Sequence, residues 1–150
     1  MNKGIITSLA FLVLVGMTKS VRRPTEEEAE EMAREGIGGW YNRYGQIVVK
    51  RTGTKEDRKR ILAHELGHKF YGSHDFLKAG GLVTWMLLDE LIADYYALKR
   101  LPGNEATIAH IIGLKNSAIN TGHDPAMVAM KEKIAMRKVG YTGPPAGWTI

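Results

Sequence analysis

After residue 25 the apolar positions recur mostly at helical spacing, and the breaks between runs carry residues that start or stop helices. Thr25 with Glu28 three residues on forms a capping box, so residues 26–35 read as a short helix with Ala29, Met32 and Ala33 inward and Gly36 closing it. Residues 38–51 differ. Trp40, Tyr41 and Tyr44 precede a turn at Gly45 and Ile47-Val48-Val49 follow it, which predicts a hairpin or two short strands. Thr54 and Asp57 repeat the capping pattern, and residues 58–70 have the apolar spacing of a half-buried helix. Residues 71–81, with three glycines, read as a loop. A helix over 82–101 follows, apolar almost all round at its start and stopped by Pro102-Gly103. Asn104 caps a helix to about residue 120, and Asp124 caps a last one, with Pro125 in its first turn, that runs to Val139 before Gly140. Met127, Met130 and Met136 read as core packing, and the tail 141–150 as extended. The predicted fold class is α+β, mostly helical, with a small β-hairpin or sheet before the helix of 58–70.

Residues 4–17 form an apolar run broken only by Thr7 and Ser8, with Lys3 before it and Lys19, Arg22 and Arg23 after it. Three readings compete for residues 1–20. A signal peptide fits the early charge and the small residues Thr18 and Ser20, although the A-x-A pattern is missing. A membrane anchor through residues 4–17 is shorter than the roughly 20 residues a spanning helix needs, and a buried core element has the same look. The balance favours a secreted or membrane-associated setting over a cytoplasmic one, with residues 21–150 as a single domain.

With 150 residues, 44% of them hydrophobic, the chain has enough apolar mass for one core and no room for a second enzymatic domain. It has no cysteine, so disulfides, iron–sulfur clusters and thiolate zinc sites are excluded and any metal must be held by His, Asp or Glu. The formal charge of +5 is uneven, with glutamates crowding residues 26–35 and lysines and arginines crowding 50–60. Without interleaved aromatics or a helix-turn-helix pattern, the basic stretch reads as a solvated face, and no nucleic-acid partner is expected.

The candidate chemistry lies in His64-Glu65-Leu66-Gly67-His68, an H-E-x-x-H motif inside the helix of 58–70. Residues four apart on a helix lie about 40° round the axis, so both imidazoles project from one face toward a single metal ion with Glu65 beside them. Two nitrogen ligands leave room for a third ligand and a water, whose proton a neighbouring carboxylate can take. Gly67 would weaken an ordinary helix interior by about 1 kcal/mol relative to alanine, which makes sense where another backbone comes close.

Two residues compete for the third metal position. Glu90 and Asp94 share a face of the next helix, so Glu90 can bind the metal while Asp94 accepts a hydrogen bond from the outer nitrogen of His64 or His68. The bland alternative makes Asp89, Glu90 and Asp94 a solvated acidic edge. The rival ligand is His74, ten residues after His64, as in a metzincin; that pattern, however, wants its glycine where this chain has Tyr71, and Gly72 sits one place late. His123 and Tyr95 are candidate donors to a transition state, whereas His110, among Ile108, Ile111 and Ile112, reads as a partly buried histidine.

His64-Glu65-Leu66-Gly67-His68 followed by Glu90-Leu91-Ile92-Ala93-Asp94-Tyr95-Tyr96-Ala97 resembles the Glu-zincin (gluzincin) pattern shared by ImmA/IrrE-like and HtpX-like peptidase domains. The resemblance covers residues 46–101, about a third of the chain. It implies a zincin-like metallopeptidase, with one zinc ion on His64, His68 and Glu90, Glu65 as general base, and Asp94 bonded behind the ligands. It leaves the subfamily open. ImmA/IrrE-like proteins are cytosolic, which a signal peptide contradicts, and HtpX-like proteins span the membrane several times, whereas this chain has no second apolar run long enough to do so.

The expected activity is zinc-dependent hydrolysis of peptide bonds, by an endopeptidase whose partners are protein or peptide substrates that pair with the edge of the strand 46–50. Two other classes fit the same residues: a non-catalytic zinc-stabilised binding module, and an interaction protein with a fortuitous motif that binds no zinc.

Overall fold

The computed structural model describes residues 21–41, 45–71 and 82–147, without the side chains of 82–85. The fold is α+β and mostly helical, with five helices and one three-stranded sheet among the described residues. Its contacts group the chain into two compact units, Met1–Leu62 and Ala63–Ile150. Residues 1–20 lie outside the described residues, and with them the leader and anchor readings; so do residues 72–81, and with them His74. No described helix is long and apolar enough to cross a membrane.

The first unit opens with β1 (Val21–Arg22) and α1 (Glu26–Glu35). The capping box forms: Thr25 Oγ1 accepts from the Glu28 N–H at 3.2 Å, and Glu28 Oε2 accepts from the Thr25 N–H at 2.9 Å. Gly36 ends the helix at φ 67°, the left-handed conformation that glycine adopts without strain. Only Met32 of this helix is buried; Ala33 is exposed, contrary to expectation, because a helix of this polarity turns just a narrow stripe inward. Arg22 grips Glu28 with two hydrogen bonds of 2.6 and 2.7 Å.

The strands β2 (Gly39–Tyr41) and β3 (Ile47–Val49) pair antiparallel, as the hairpin pattern predicts. The sheet order is β1-β3-β2, with β1 parallel to β3. This corrects one expectation. The strand proposed to offer its edge to a peptide is the centre of the sheet, paired on both sides, and Ile47 and Val48 are fully buried. The free edges of this sheet, among the described residues, belong to β1 and β2.

Helix α2 (Lys55–Tyr71) starts behind Thr54, whose Oγ1 accepts from the Asp57 N–H at 3.0 Å. The second unit is built on α3 (Leu82–Arg100), which is buried on every side from Leu91 to Leu98. Against it pack α4 (Glu105–Asn120) and α5 (Pro125–Val139), with Ile111, Ala118, Val128, Ala135 and Val139 facing Leu87, Leu91, Ile92, Tyr95 and Leu98. Asn104 Oδ1 caps α4 through the Thr107 N–H at 2.9 Å, and Asp124 Oδ1 caps α5 through the Ala126 N–H at 3.0 Å. Met136 packs against this core, but Met127 and Met130 are exposed, which corrects the reading of all three as core. Their helix turns its other faces to α3, and those faces carry Val128, Ala135 and Val139.

A polar group is enclosed in the same core. Tyr95 Oη donates to Glu132 Oε1 at 2.5 Å and accepts from the Ala146 N–H at 2.9 Å. Lys115 Nζ donates to Glu132 Oε1 at 2.8 Å and to the Ala146 carbonyl at 2.7 Å. The ring of bonds gives partners to a tyrosine and a glutamate that are nearly inaccessible to water, and it pins the C-terminal segment to α3, α4 and α5.

Candidate metal centre

Two helices meet at their smallest residues. A Cβ placed on Gly67 of α2 would lie 2.6 Å from Ala93 Cα and 2.9 Å from the Ala93 carbonyl oxygen on α3. This is the close backbone that the glycine anticipates, and only a residue without a side chain permits it. Gly67 immediately precedes His68 and Ala93 immediately precedes Asp94, so the contact brings the acidic face of α3 against the histidine face of α2.

The two Nε2 atoms of His64 and His68 are 3.0 Å apart. Glu90 spans them, with Oε2 3.3 Å from His64 Nε2 and Oε1 3.3 Å from His68 Nε2. Separations of 3.0 and 3.3 Å are near the roughly 3.3 Å between two ligands of a tetrahedral ion bound at about 2.0–2.1 Å, with Glu90 offering one oxygen as ligand. His64, His68 and Glu90 are one of two groups among the described residues whose donor atoms converge closely enough to hold a metal.

The outer nitrogens are held from behind. His64 Nδ1 lies 2.7 Å from Asp94 Oδ1, and His68 Nδ1 lies 3.4 Å from Asp89 Oδ2. Asp94 is essentially fully buried, and although burial raises its carboxyl pKa, hydrogen bonds from His110 and His64 outweigh that and hold it below the ordinary range. An ionised carboxylate only accepts, so His64 must donate from Nδ1, which leaves its Nε2 facing Glu90 and His68. Burial pulls the pKa of both imidazoles down, but hydrogen bonds to Asp94 and Glu90 on His64, and to Asp89 and Glu90 on His68, raise them overall. The same histidines, against the effect of burial, hold Glu90 below the ordinary carboxylate range. The cluster therefore calls for positive charge at its centre, which a proton or a metal ion can supply.

Glu65 lies on the same helix as the two histidines and is buried. Burial raises its pKa, partly offset by His64 and His68. Asp94 and Asp89 are not a solvated edge of α3, their side chains being 1% and 17% exposed, while that of Glu90 is 36% exposed.

Other sequence candidates are placed elsewhere. The hydroxyl of Tyr95 is used by Glu132 and Ala146 in the core between α3 and α5. His123 precedes α5 with its N–H on the Ala118 carbonyl at 3.0 Å and belongs to neither group of convergent donor atoms. The residue that sequence reasoning missed is His110. Its Nδ1 lies 2.7 Å from Asp94 Oδ2 and its ring centroid 6.0 Å from that of His64, so it is part of the cluster and not a bystander on α4. No local signal marks it, because its partner is on another helix.

Compared with models of known protein families, with curated proteins and with solved structures, the chain finds no match.

Proposed function

We propose that this chain is a zinc-dependent metallopeptidase of the Glu-zincin type, with a zincin-like arrangement of α2 and α3, that hydrolyses internal peptide bonds of protein or peptide substrates. The observation that carries the reading is the convergence of His64 Nε2, His68 Nε2 and the Glu90 carboxylate at separations of 3.0 and 3.3 Å, with carboxylates facing the outer nitrogens. One zinc ion on these three residues would polarise the scissile carbonyl and lower the pKa of a water molecule toward neutrality.

The chain's own residues then have distinct tasks. His64, His68 and Glu90 form the ligand set; Asp94 and Asp89 hold the imidazoles with Nε2 inward. Glu65, its basicity raised by burial, takes a proton from the attacking water as the water oxygen bonds to the carbonyl carbon. Glu65 returns that proton to the amide nitrogen as the C–N bond breaks, giving a carboxylic acid and an amine, and the acid's remaining proton then passes to the amine to leave a carboxylate and an ammonium. Glu90 3.3 Å from both Nε2 atoms supports it as third ligand.

The test is Glu65→Gln in the full chain, assayed on a mixture of quenched fluorogenic peptides with zinc content measured in parallel. A peptidase loses activity by a factor of about 10²–10⁴ and keeps its zinc. Turnover unchanged in Glu65→Gln, or no zinc-dependent turnover of any peptide by the wild type, contradicts the proposal; zinc without turnover leaves a zinc-stabilised binding module as the function.

A further inference from the structure

We propose that His110 is a positioning residue of the metal centre, acting through Asp94 to fix the orientation of His64. The inference rests on the zinc reading above and adds a third helix, α4, to the parts that shape the site.

Asp94 has its two carboxylate oxygens divided between two imidazoles, Oδ1 2.7 Å from His64 Nδ1 and Oδ2 2.7 Å from His110 Nδ1. With Asp94 ionised and accept-only, both nitrogens donate. The lengths decide what this second group is. Two ligands of one tetrahedral zinc stand about 3.3 Å apart, whereas 2.7 Å is the length of a charge-assisted N–H···O bond. His64, Asp94 and His110 thus form a hydrogen-bonded chain, not a second metal site.

The chain removes a freedom that the site cannot tolerate. A buried carboxylate held at one oxygen alone can turn about its Cβ–Cγ bond and carry the His64 ring with it. Held at both oxygens, from helices on either side, it presents Oδ1 to His64 Nδ1 in one direction, and His64 Nε2 is then aimed at His68 and Glu90. With His110 in place Asp94 is closed to water, its side chain being 1% exposed. His110 itself is 46% exposed and lies outside the buried core cluster, so its contribution is the bond and not the packing of its ring.

The experiment compares zinc affinity, by competition with a chromophoric chelator, in the wild-type chain, His110→Ala and His110→Asn, with visible spectra of the cobalt-loaded proteins. Asparagine can present an amide N–H near the position of the imidazole Nδ1. The wild type is expected to bind one zinc ion per chain. His110→Ala is expected to bind it about 10–100-fold more weakly, as loss of a bond behind a ligand does, with a cobalt spectrum altered in band position or intensity. His110→Asn is expected to recover most of the affinity and the wild-type spectrum. Wild-type affinity and spectrum in His110→Ala overturn this inference alone, as does His110→Asn no better than His110→Ala while both remain helical by circular dichroism. Two zinc ions per chain overturn it in favour of a second metal site, and no zinc in the wild type overturns the metal reading together with it.

Discussion

Replacing Gly67 by alanine should destabilise the protein, although the same change in an open helix stabilises. In an unhindered helix interior alanine is favoured over glycine by about 1 kcal/mol. At Gly67 the added carbon would stand 2.6 Å from Ala93 Cα, 2.9 Å from its carbonyl oxygen and 3.2 Å from its carbonyl carbon. Carbon atoms pack at about 3.5–4.0 Å, so α2 and α3 must part by roughly 1 Å, and neither a rotamer change nor a flexible side chain can absorb the overlap. Overpacking of this kind costs about 1–3 kcal/mol, which outweighs the helix preference at all but its lower end and leaves a net loss of up to about 2 kcal/mol. For a chain of this size that is a fall in Tm of about 4–8 °C at the upper end. The same separation would lengthen the 3.3 Å spacings between the histidines and Glu90, so zinc affinity should fall. The assay is thermal unfolding in chelator, followed by zinc titration, with Gly113→Ala as the control. Gly113 is exposed in α4 with nothing within 4 Å of a new Cβ, and its replacement should raise stability by up to about 1 kcal/mol. A Gly67→Ala protein that melts no lower than wild type and binds zinc equally would refute the argument.

The buried ring around Glu132 makes a second prediction. Lys115→Ala leaves that carboxylate enclosed without its cation and should cost about 3–5 kcal/mol, while Lys115→Met with Glu132→Leu should cost much less, since neither charge is then buried. Urea unfolding midpoints compare the two, and equal losses would show that the uncompensated charge is not the cause. A third prediction concerns acid. The hydrogen bonds from Arg22, then the Thr25 N–H, hold the Glu28 carboxyl at about 2 against an ordinary 4.5. A carboxyl with a depressed folded pKa stabilises fully above the unfolded value and loses that contribution as pH falls through the folded one, so the wild type should weaken between about pH 4.5 and 2. Glu28→Gln should flatten this limb of a stability-against-pH curve measured in urea, and an unchanged limb would contradict the assignment.

What was legible in the sequence is what local chemistry determines. Thr25, Thr54, Asn104 and Asp124 each cap the helix they precede, and Gly36 and Gly140 end helices at positive φ, because these roles involve partners a few residues away. The spacing of His64 with His68, and of Glu90 with Asp94, fixed which side chains share a face. Non-local partners left no such mark. β1 is two residues long, too short for any periodicity, and its parallel pairing with β3 turned a presumed edge strand into a central one. His110 meets Asp94 from sixteen residues away, and the isoleucines around it gave the only visible context. Met127 and Met130 share helical spacing with core residues, yet which side of α5 faces inward is set by Val128, Ala135 and Val139 packing on α3.

Zinc content of the purified full chain, measured by atomic emission after dialysis against metal-free buffer, tests the central claim most directly when wild type stands beside Glu90→Ala and His74→Ala. The account predicts one zinc ion per chain in the wild type and in His74→Ala, and little or none in Glu90→Ala. A wild type without zinc, or zinc kept by Glu90→Ala and lost from His74→Ala, would contradict it.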